Sequence, residues 1–251
     1  MAYLEAIKDY WTTQVAGFAE INLDELTSDK YELWLSVLEE NLPAEKGLAV
    51  LDVGCGTGFF SIVMSKLGHR VTAVDYNEGM LEQAGKNAQA FGVGGTIDFL
   101  KMDAQKLEFA DQVFDVILSR DITWVLENPA QAYGEWLRVL KPKGRFLNFD
   151  GNWFLHLHDE KAKGAYERGL EKVMARGFEV KESDHNEEFE TIVRSLPLSK
   201  ERRPAWDIGV LTDLGCEKIM IKPKLPGKIH DAYYECLYAE IPTFMVAAIK
   251  E

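Results

Sequence analysis

Apolar residues recur at helical spacing near the start of the chain. Within the segment Tyr31–Leu38 they occupy positions 31, 34, 35 and 38, which fall on one face of an α-helix. We therefore predict helical structure over residues 3–42, ended by Pro43 and Gly47, because proline and glycine interrupt regular structure.

From residue 48 onward, short apolar runs alternate with helical segments. Five of these runs are predicted to be strands: 48–53, 70–75, 96–101, 113–119 and 145–150. Helices are predicted between them at 57–67, 77–91 and 129–140. Strands and helices that alternate in this way form βαβ units around a parallel sheet. Ligands of such sheets bind beyond the carboxyl ends of the strands, so the residues after each strand are the functional candidates.

A longer segment, 151–204, interrupts this alternation. It contains two predicted helices, 159–176 and 186–195, and its length after a sheet strand is typical of a lid or substrate subdomain. Its short basic cluster, Arg202-Arg203-Pro204, is predicted to be a solvated loop. A helix at 205–214 and strands at 216–222 and 243–250 are predicted to follow.

Composition narrows the class of partner. The 251 residues are 47% hydrophobic and 27% charged, as in globular proteins, and carry a net charge of −13. Nucleic acids and anionic membranes attract basic proteins, so we predict neither as a partner. The three cysteines form no CxxC pair, which excludes a four-cysteine zinc site and suits a reducing compartment. With no apolar run of ~20 residues, the protein is predicted to be cytoplasmic.

The first predicted strand ends in a glycine-rich loop, Leu51–Gly58, with glycines at 54, 56 and 58 that allow a tight turn close to a ligand. Asp75 ends the next strand, where an acid can accept both hydroxyls of a ribose. A dinucleotide fingerprint requires a small residue at position 59, which is Phe59 here, and no P-loop Gly-Lys-Ser/Thr follows. The loop is therefore predicted to bind an adenosyl ligand that lacks a pyrophosphate.

Further motifs follow in order, and together with the loop they resemble the class I S-adenosylmethionine-dependent methyltransferase family. The resemblance covers about 45–150 and rests on these segments: Leu51–Gly58, Val74-Asp75-Tyr76, Met80-Leu81, Met102-Asp103-Ala104, Phe114–Ser119 and Leu137–Phe146. It implies an α/β, Rossmann-like fold with a seven-stranded, mostly parallel sheet, an antiparallel last strand and helices on both faces. N-terminal helices and a helical insertion after strand five complete this expectation.

The resemblance also implies S-adenosyl-L-methionine as the cofactor. Asp75 would bind the ribose, Asp103 with the Ala104 N–H would contact the adenine edge, and Ser119 and Arg120 would lie under the sulfonium through backbone atoms. The full set of implied cofactor residues is Asp52, Gly54, Gly56, Gly58, Asp75, Tyr76, Met80, Asp103, Ala104, Ser119 and Arg120. Taken singly, each of these acids is also typical of a turn, a strand end or a helix N-cap. Tyr76 and Met80, taken singly, are also typical of a hydrophobic core.

The methyl acceptor should bind after strands four and five and against the insertion. We predict Asp150 or His156 as a candidate base, and Trp124, Trp153 and His158 as substrate contacts. An extended segment would place His156 and His158 on one side, and this arrangement also fits an exposed surface or a pair of metal ligands. Asp150 could equally well cap a turn. A metal site can be drawn with Asp159 and His185, but nothing fixes its geometry, so no metal is predicted.

The expected organisation is a single methyltransferase domain over 1–251, with four parts: an N-terminal helical cover (1–44), a cofactor-binding core (45–150), a lid or substrate insertion (151–204) and the C-terminal part of the sheet (205–251). In the N-terminal cover, Tyr10, Trp11 and Phe18 are predicted to pack between helices, or else to contact the cofactor pocket. The predicted function is methyl transfer to a small molecule. The alternatives are a protein or RNA methyltransferase and a non-catalytic module that binds the cofactor.

Overall fold

A seven-stranded sheet organises the protein, whose computed structural model describes residues 3–180 and 187–251. The strand order is β3-β2-β1-β4-β5-β7-β6. The strands are β1 (Ala49–Val53), β2 (Arg70–Asp75), β3 (Ile97–Lys101), β4 (Phe114–Arg120), β5 (Leu140–Asp150), β6 (Lys218–Lys222) and β7 (Phe244–Ile249). The first five strands are parallel, and β7 is antiparallel to both β5 and β6. The predicted fold class is confirmed.

Nine α-helices occur in the described residues. They are α1 (Leu4–Thr27), α2 (Lys30–Asn41), α3 (Phe59–Lys66), α4 (Glu78–Ala90), α5 (Pro129–Val139), α6 (Glu160–Ala175), α7 (Glu187–Ser195), α8 (Ala205–Asp213) and α9 (Ala232–Leu237). Within those residues, no helix has both the length and the apolar character needed to cross a bilayer.

The core lies in two layers, one on each face of the sheet. Val50 faces a layer with Trp34 of α2 and Phe60 of α3, whereas the neighbouring Leu51 faces a layer with Trp136 of α5. Successive side chains of a strand point to opposite faces, so a strand buried on both sides reads as a continuous apolar run. This is why the runs predicted as strands carry no polar alternation.

The structure differs from the sequence-based prediction in three places. β5 begins at Leu140 rather than at 145, because its pairing with β4 shifts register between Phe114 and Val116 and the strand absorbs the intervening turn. The helix α9 has only six residues and was not predicted. The segment around the two histidines is a single 3-10 turn, Leu155–Leu157, and not an extended strand, so the expectation that His156 and His158 share one side is wrong.

A buried ionic cluster joins the insertion to the sheet. Arg203 is 5% exposed and its guanidinium pairs with Asp150 at the end of β5 and with Asp207 of α8, the latter at 2.6 and 3.0 Å. The Tyr133 hydroxyl of α5 donates to the Asp207 carboxylate at 2.6 Å. The prediction of a solvated loop is therefore wrong for Arg203, because two buried carboxylates require a buried cation. Arg202, the neighbouring residue, is exposed as predicted.

Candidate functional site

A cavity of about 970 Å³ opens beyond the carboxyl ends of β1, β2 and β4. Its wall combines the glycine loop, the ends of these strands, the helix α1, part of the insertion and the region of α9. Its volume is at the upper end of the roughly 300–1,000 Å³ that is typical of small-molecule sites. The cavity therefore has room for more than one bound molecule.

The glycine loop adopts a backbone that other residues tolerate poorly. Gly54, Gly56 and Gly58 have φ values of 68°, 52° and 93°. A Cβ atom on Gly54 would lie 2.3 Å from Cδ1 of Ile122, and one on Gly58 would lie 3.1 Å from Cβ of Ala84 in α4. The loop is thus shaped by close approach to two neighbouring segments as well as by its turn.

Asp75 lies beside this loop and holds it in place. One carboxylate oxygen accepts the Gly56 N–H at 2.9 Å and the other accepts the Asn77 N–H at 2.9 Å. Burial raises the pKa of Asp75. Each oxygen of a carboxylate has about two acceptor positions, so both can accept a further hydrogen bond from a ligand hydroxyl.

Asp103 presents an unsatisfied acceptor. Its Oδ1 accepts the Gln105 N–H at 2.8 Å, whereas its Oδ2 is buried and has no hydrogen-bond partner among the described residues. Buried carboxylate oxygens are normally hydrogen-bonded, so an orphan at a cavity wall indicates a donor supplied by a ligand. An adenine amino group is such a donor, and the neighbouring Ala104 also lines the cavity.

Asp52 is buried at the base of the glycine loop and stabilises it. It is 2% exposed, its Oδ2 accepts the Ser61 hydroxyl at 2.5 Å, and burial raises its pKa to about 6. Tyr76 and Met80 also lie in the cavity wall, and the Tyr76 hydroxyl donates to Glu5 of α1 at 2.7 Å.

The helix α1 forms one wall of the cavity from Leu4 to Glu25 and is hydrogen-bonded through side-chain amides to the loops that follow β1 and β2. The Asn22 amide donates to the Thr57 hydroxyl at 2.5 Å. The Asn77 amide nitrogen donates to the Lys8 carbonyl at 2.9 Å and to the Thr12 hydroxyl at 2.8 Å. The Asn77 amide oxygen accepts the Met80 N–H and so caps the N-terminus of α4.

Arg120 enters the wall through its side chain and not only through its backbone. Its guanidinium donates to both carboxylate oxygens of Glu25 in α1, at 2.9 and 3.0 Å. It also lies over the rings of Trp34, Phe59 and Phe60, 4.8–5.4 Å from their centroids. This explains why a phenyl ring stands at position 59, where a dinucleotide loop would have glycine or alanine.

The remainder of the cavity is an aromatic chamber. Its aromatic residues come from α1, the segments after β4 and β5, α6 and the region of α9: Tyr10, Trp11, Trp124, Trp153, Phe154, His156, Tyr166, His230, Tyr233, Tyr234 and Tyr238. The Tyr10 ring stacks on Phe189 of α7, with 3.6 Å between their centroids. The chamber is thus assembled from segments that lie far apart in the sequence.

The His156 ring is fixed in this chamber by a hydrogen bond and an aromatic stack. Its Nδ1 lies 3.0 Å from the Trp153 carbonyl oxygen, so Nδ1 carries the hydrogen and donates it, because a carbonyl only accepts. The ring stacks on Tyr166 with 4.1 Å between centroids, and burial lowers the His156 pKa.

Residues 51–148 match the family described as a methyltransferase domain. Residues 51–148 form a methyltransferase domain. For residues 51–148, within the seven-stranded fold, this match confirms the predicted S-adenosylmethionine-dependent methyltransferase family and the cofactor that the family implies.

Two curated relatives illustrate the match in sequence. Cycloartenol-C-24-methyltransferase 1 of Oryza sativa subsp. japonica is 33% identical over 133 residues, which are 53% of this chain and 38% of that protein. A ubiquinone/menaquinone biosynthesis C-methyltransferase of Roseobacter denitrificans is 33% identical over 141 residues, which are 54% of this chain and 55% of that protein. The aligned part thus spans about half the length of these relatives or less.

Solved structures show the same fold over more of the chain. A SAM-dependent methyltransferase from Aquifex aeolicus matches with a TM-score of 0.58 and 20% identity, over 96% of this chain and 98% of that one. Phosphoethanolamine N-methyltransferase 2 of Haemonchus contortus, solved with S-adenosyl-L-methionine, matches with a TM-score of 0.58 and 18% identity, over 86% of this chain and 51% of that one.

Several residues predicted for the site of the methyltransferase domain lie outside the cavity wall. Gly58 packs on α4, and the Ser119 hydroxyl is fully buried and donates to the Asn148 side chain at 2.7 Å. His158 is absent from the wall as well, since the 3-10 turn directs it away from His156. We assign Gly58 to packing and Ser119 to a buried polar contact, whereas His158 is exposed to solvent.

Asp150 also lies outside the cavity wall, so its predicted role as a base is wrong. It is fully buried, and its carboxylate is committed to Arg203, to the Gly151 N–H and to the Trp153 indole N–H. Burial raises the pKa of Asp150 in spite of Arg203, but the carboxyl group has no face on the cavity and therefore cannot meet a bound acceptor.

Sequence reasoning missed the five chamber residues of α6 and the region of α9, which are Tyr166, His230, Tyr233, Tyr234 and Tyr238, because no motif marks a contact between distant segments. It also did not single out Asp121, which follows β4 and lies in the wall. Within 3–180 and 187–251, no cluster of three or more histidines, cysteines or acids could hold a metal. His185, one residue of the metal site considered above, lies outside the described residues.

Proposed function

We propose that this protein transfers a methyl group from S-adenosyl-L-methionine to a small molecule with a largely apolar body. One observation carries the proposal. A single cavity joins the Asp75 and Asp103 carboxylates at one end to an aromatic chamber at the other. A donor molecule held at the first end and an acceptor held at the second would meet inside the same enclosure, which is the arrangement that a transfer reaction needs.

The donor end fits S-adenosyl-L-methionine by its chemistry. The orphan Oδ2 of Asp103 suits an adenine amino group, and the Asp75 carboxylate suits ribose hydroxyls. Asp52 and Asp121 add acidic character to a wall that would surround a sulfonium and an ammonium. When bound, the cofactor supplies an activated methyl group, and the chain's part is to orient the two molecules and exclude water.

The acceptor end favours a small molecule over a protein or RNA chain. The chamber is walled by α1, α6 and the region of α9, and its surface is dominated by aromatic rings. Such walls suit a compact apolar ligand. The sequence relatives named above carry names that refer to cycloartenol and to ubiquinone or menaquinone, which are small molecules.

The sequence also supports a reducing, cytoplasmic setting for this activity. Cys55, Cys216 and Cys236 are free and buried in the structure, so no disulfide contributes to the fold.

Calorimetry tests the donor half of the proposal. We expect S-adenosyl-L-methionine and S-adenosyl-L-homocysteine to bind in the micromolar range and NAD not to bind under the same conditions. Tight binding of NAD without binding of either adenosyl ligand would overturn the proposal.

Methyl transfer tests the acceptor half. The protein is incubated with cofactor labelled in the methyl group and with either a small-molecule extract of cells or a protein and RNA fraction. We expect label to enter the small-molecule extract, whereas label only in the macromolecular fraction would contradict the proposed acceptor class.

A further inference from the structure

Asp121 occupies a constrained position at the carboxyl end of β4. Its φ is 55°, in the left-handed region that few residues other than glycine adopt. Its N–H donates to the Phe149 carbonyl at 2.9 Å, which fixes this conformation. Backbone strain of this kind persists where the surrounding structure imposes it, and it is concentrated at functional sites. The conformation puts the Asp121 side chain into the cavity wall.

Two carboxylates share one hydrogen next to this wall. The indole Nε1 of Trp153 lies 3.2 Å from Oδ1 of Asp121 and 3.1 Å from Oδ1 of Asp150. An indole has a single N–H, so it cannot satisfy both carboxylates fully. Asp150 has Arg203 as a buried counter-ion, and Arg120 is engaged by Glu25. Asp121 is therefore the carboxylate of this pair whose charge is less compensated.

The surroundings of Asp121 favour its protonated form. Burial and the nearby charge of Asp150 raise its pKa to about 7, against a smaller opposing influence of Arg120. The groups that face Asp121 come from five parts of the fold: Arg120 of β4, Asp150 of β5, Trp153 after β5, Glu25 of α1 and Tyr238 after α9. A carboxyl group in this range exchanges a proton near neutral pH, as a general base must.

The two histidines of the chamber are poorer candidates. Burial lowers the pKa of His156, and its ring is already bonded to the Trp153 carbonyl and stacked on Tyr166. Burial lowers the pKa of His230 to about 4, and its Nε2 lies 3.0 Å from the Thr243 hydroxyl. Both rings therefore act as neutral walls.

We propose that Asp121 is the catalytic base of the methyl transfer, and that the acceptor is a small molecule whose nucleophilic atom carries a proton, such as a hydroxyl, an enol or an amine. This inference rests on the proposed function. The nucleophilic atom of the acceptor forms its new bond to the methyl carbon as the carbon–sulfur bond breaks, and that electron pair stays on sulfur. The proton of the nucleophilic atom passes to Asp121, which later returns it to solvent.

The first test follows the carboxyl group itself and needs no acceptor. Carbon-13 NMR of labelled aspartate carboxyls is recorded against pH for the wild type, for Asp121→Asn and for Asp98→Asn. Asparagine keeps an acceptor for the Trp153 N–H and tolerates a left-handed backbone. Asp98 is an exposed acid of β3 on the far edge of the sheet and serves as the control. We expect one carboxyl with a midpoint near 7, lost in Asp121→Asn and kept in Asp98→Asn.

The same titration in two complexes places Asp121 relative to the methyl donor. S-adenosyl-L-methionine carries a sulfonium cation, whereas S-adenosyl-L-homocysteine has a neutral sulfur. A nearby cation favours the ionised carboxylate, so we expect a lower midpoint in the first complex than in the second. Equal midpoints in the two complexes, or an Asp121 midpoint near the ordinary ~4, would overturn the inference.

The second test measures transfer of labelled methyl groups to the small-molecule extract. In the wild type we expect the rate to rise with pH through about 7, because Asp121 must be ionised to accept a proton. Asp121→Asn should lower the rate at least roughly 100-fold and remove this rise, while Asp98→Asn should keep both. Full activity of Asp121→Asn with an unchanged pH profile would overturn the inference and leave the proposed function intact. Failure of the wild type to bind the cofactor would instead overturn the proposed function.

Discussion

The two ends of the cavity are built in different ways. The donor end comes from consecutive loops of two successive βαβ units, and its polar atoms belong to the stretch of sequence between Asp52 and Asp103. The acceptor end draws side chains from α1, the insertion and the region of α9, and rings dominate its surface. The donor end is therefore recognisable from local motifs, whereas the acceptor end exists only after the chain has folded.

The two ends of the cavity also differ in the interactions that stabilise them. At the donor end, backbone N–H groups bind Asp75 directly, so the loop and the acid stabilise one another. At the acceptor end, the aromatic chamber rests on buried charges, Arg203 with Asp150 and Asp207, which lie behind the wall. Variants that damage one end and spare the other would show whether the two ends are independent.

The largest expected effect is on stability at the acceptor end. Arg203→Met leaves Asp150 and Asp207 without their counter-ion, and removal of one partner of a buried ion pair costs about 3–5 kcal/mol. We expect a matching decrease in the free energy of unfolding, measured by urea denaturation. Arg202→Met is the matched control, since Arg202 is exposed and pairs only with Asp159 at the surface. Equal stability of the two variants would contradict the importance of the buried cluster.

A smaller effect depends on pH and reports on Asp121. Its pKa is about 7 in the folded chain and ~3.9 when unfolded, so the folded state holds the extra proton between these values. The wild type should thus lose stability relative to Asp121→Asn as pH rises from 4 to 7, by up to about 1.4 kcal/mol per pH unit. Thermal or urea unfolding of both proteins across this range measures the difference. A difference that does not vary with pH would show that the Asp121 pKa is ordinary.

The donor end should respond through affinity. Asp75→Ala removes hydrogen bonds to a charged group, worth about 1.5–3 kcal/mol, so cofactor affinity should fall roughly 10- to 100-fold. Calorimetry with S-adenosyl-L-homocysteine measures this change, with Asp98→Asn as the control. Unchanged affinity in a folded Asp75→Ala protein would mean that Asp75 only braces the glycine loop.

The smallest expected effect lies at the acceptor end and separates the two ends. His156→Ala removes an aromatic stack worth about 0.5–1.5 kcal/mol, so kcat/KM for the acceptor should fall by roughly ten-fold at most. Cofactor affinity should stay within a few-fold, and the rise of rate with pH should persist, because His156 is not the base. Loss of the pH dependence in His156→Ala would return the role of base to this histidine.

The sequence was sufficient for the sheet and for most of the donor end. Apolar runs that end in glycine or aspartate marked β1 and β2, and the order of the motifs indicated both the family and Asp103. The positions of Ser119 and Asp150 could not be predicted in this way. Ser119 lies near the end of β4 and Asp150 ends β5, and a ligand contact is common at such positions. Only the fold shows that the Ser119 hydroxyl is already bonded to Asn148 and the Asp150 carboxylate to Arg203.

The chamber was harder to predict for a physical reason. Tyr234 and Tyr238 lie in and after a six-residue helix, too short for a periodic pattern of apolar residues to stand out. Arg203 was assigned to the solvent because charged residues usually lie there, and nothing local in the sequence reveals the two carboxylates that bury it. Contacts between distant segments decide such cases.

The hydrogen bonds that hold α1 against the cavity affect how fast a bound molecule can leave. The side-chain amide of Asn77 caps α4 and also donates to the Lys8 carbonyl and the Thr12 hydroxyl of α1. Further along α1, the Asn22 amide donates to the Thr57 hydroxyl of the glycine loop. A molecule that leaves past this wall must wait until several hydrogen bonds of a 24-residue helix break together. If the proposed transfer takes place and its product leaves past this wall, the residence time of the spent cofactor is limited by how often the first helix detaches, and turnover cannot exceed that rate.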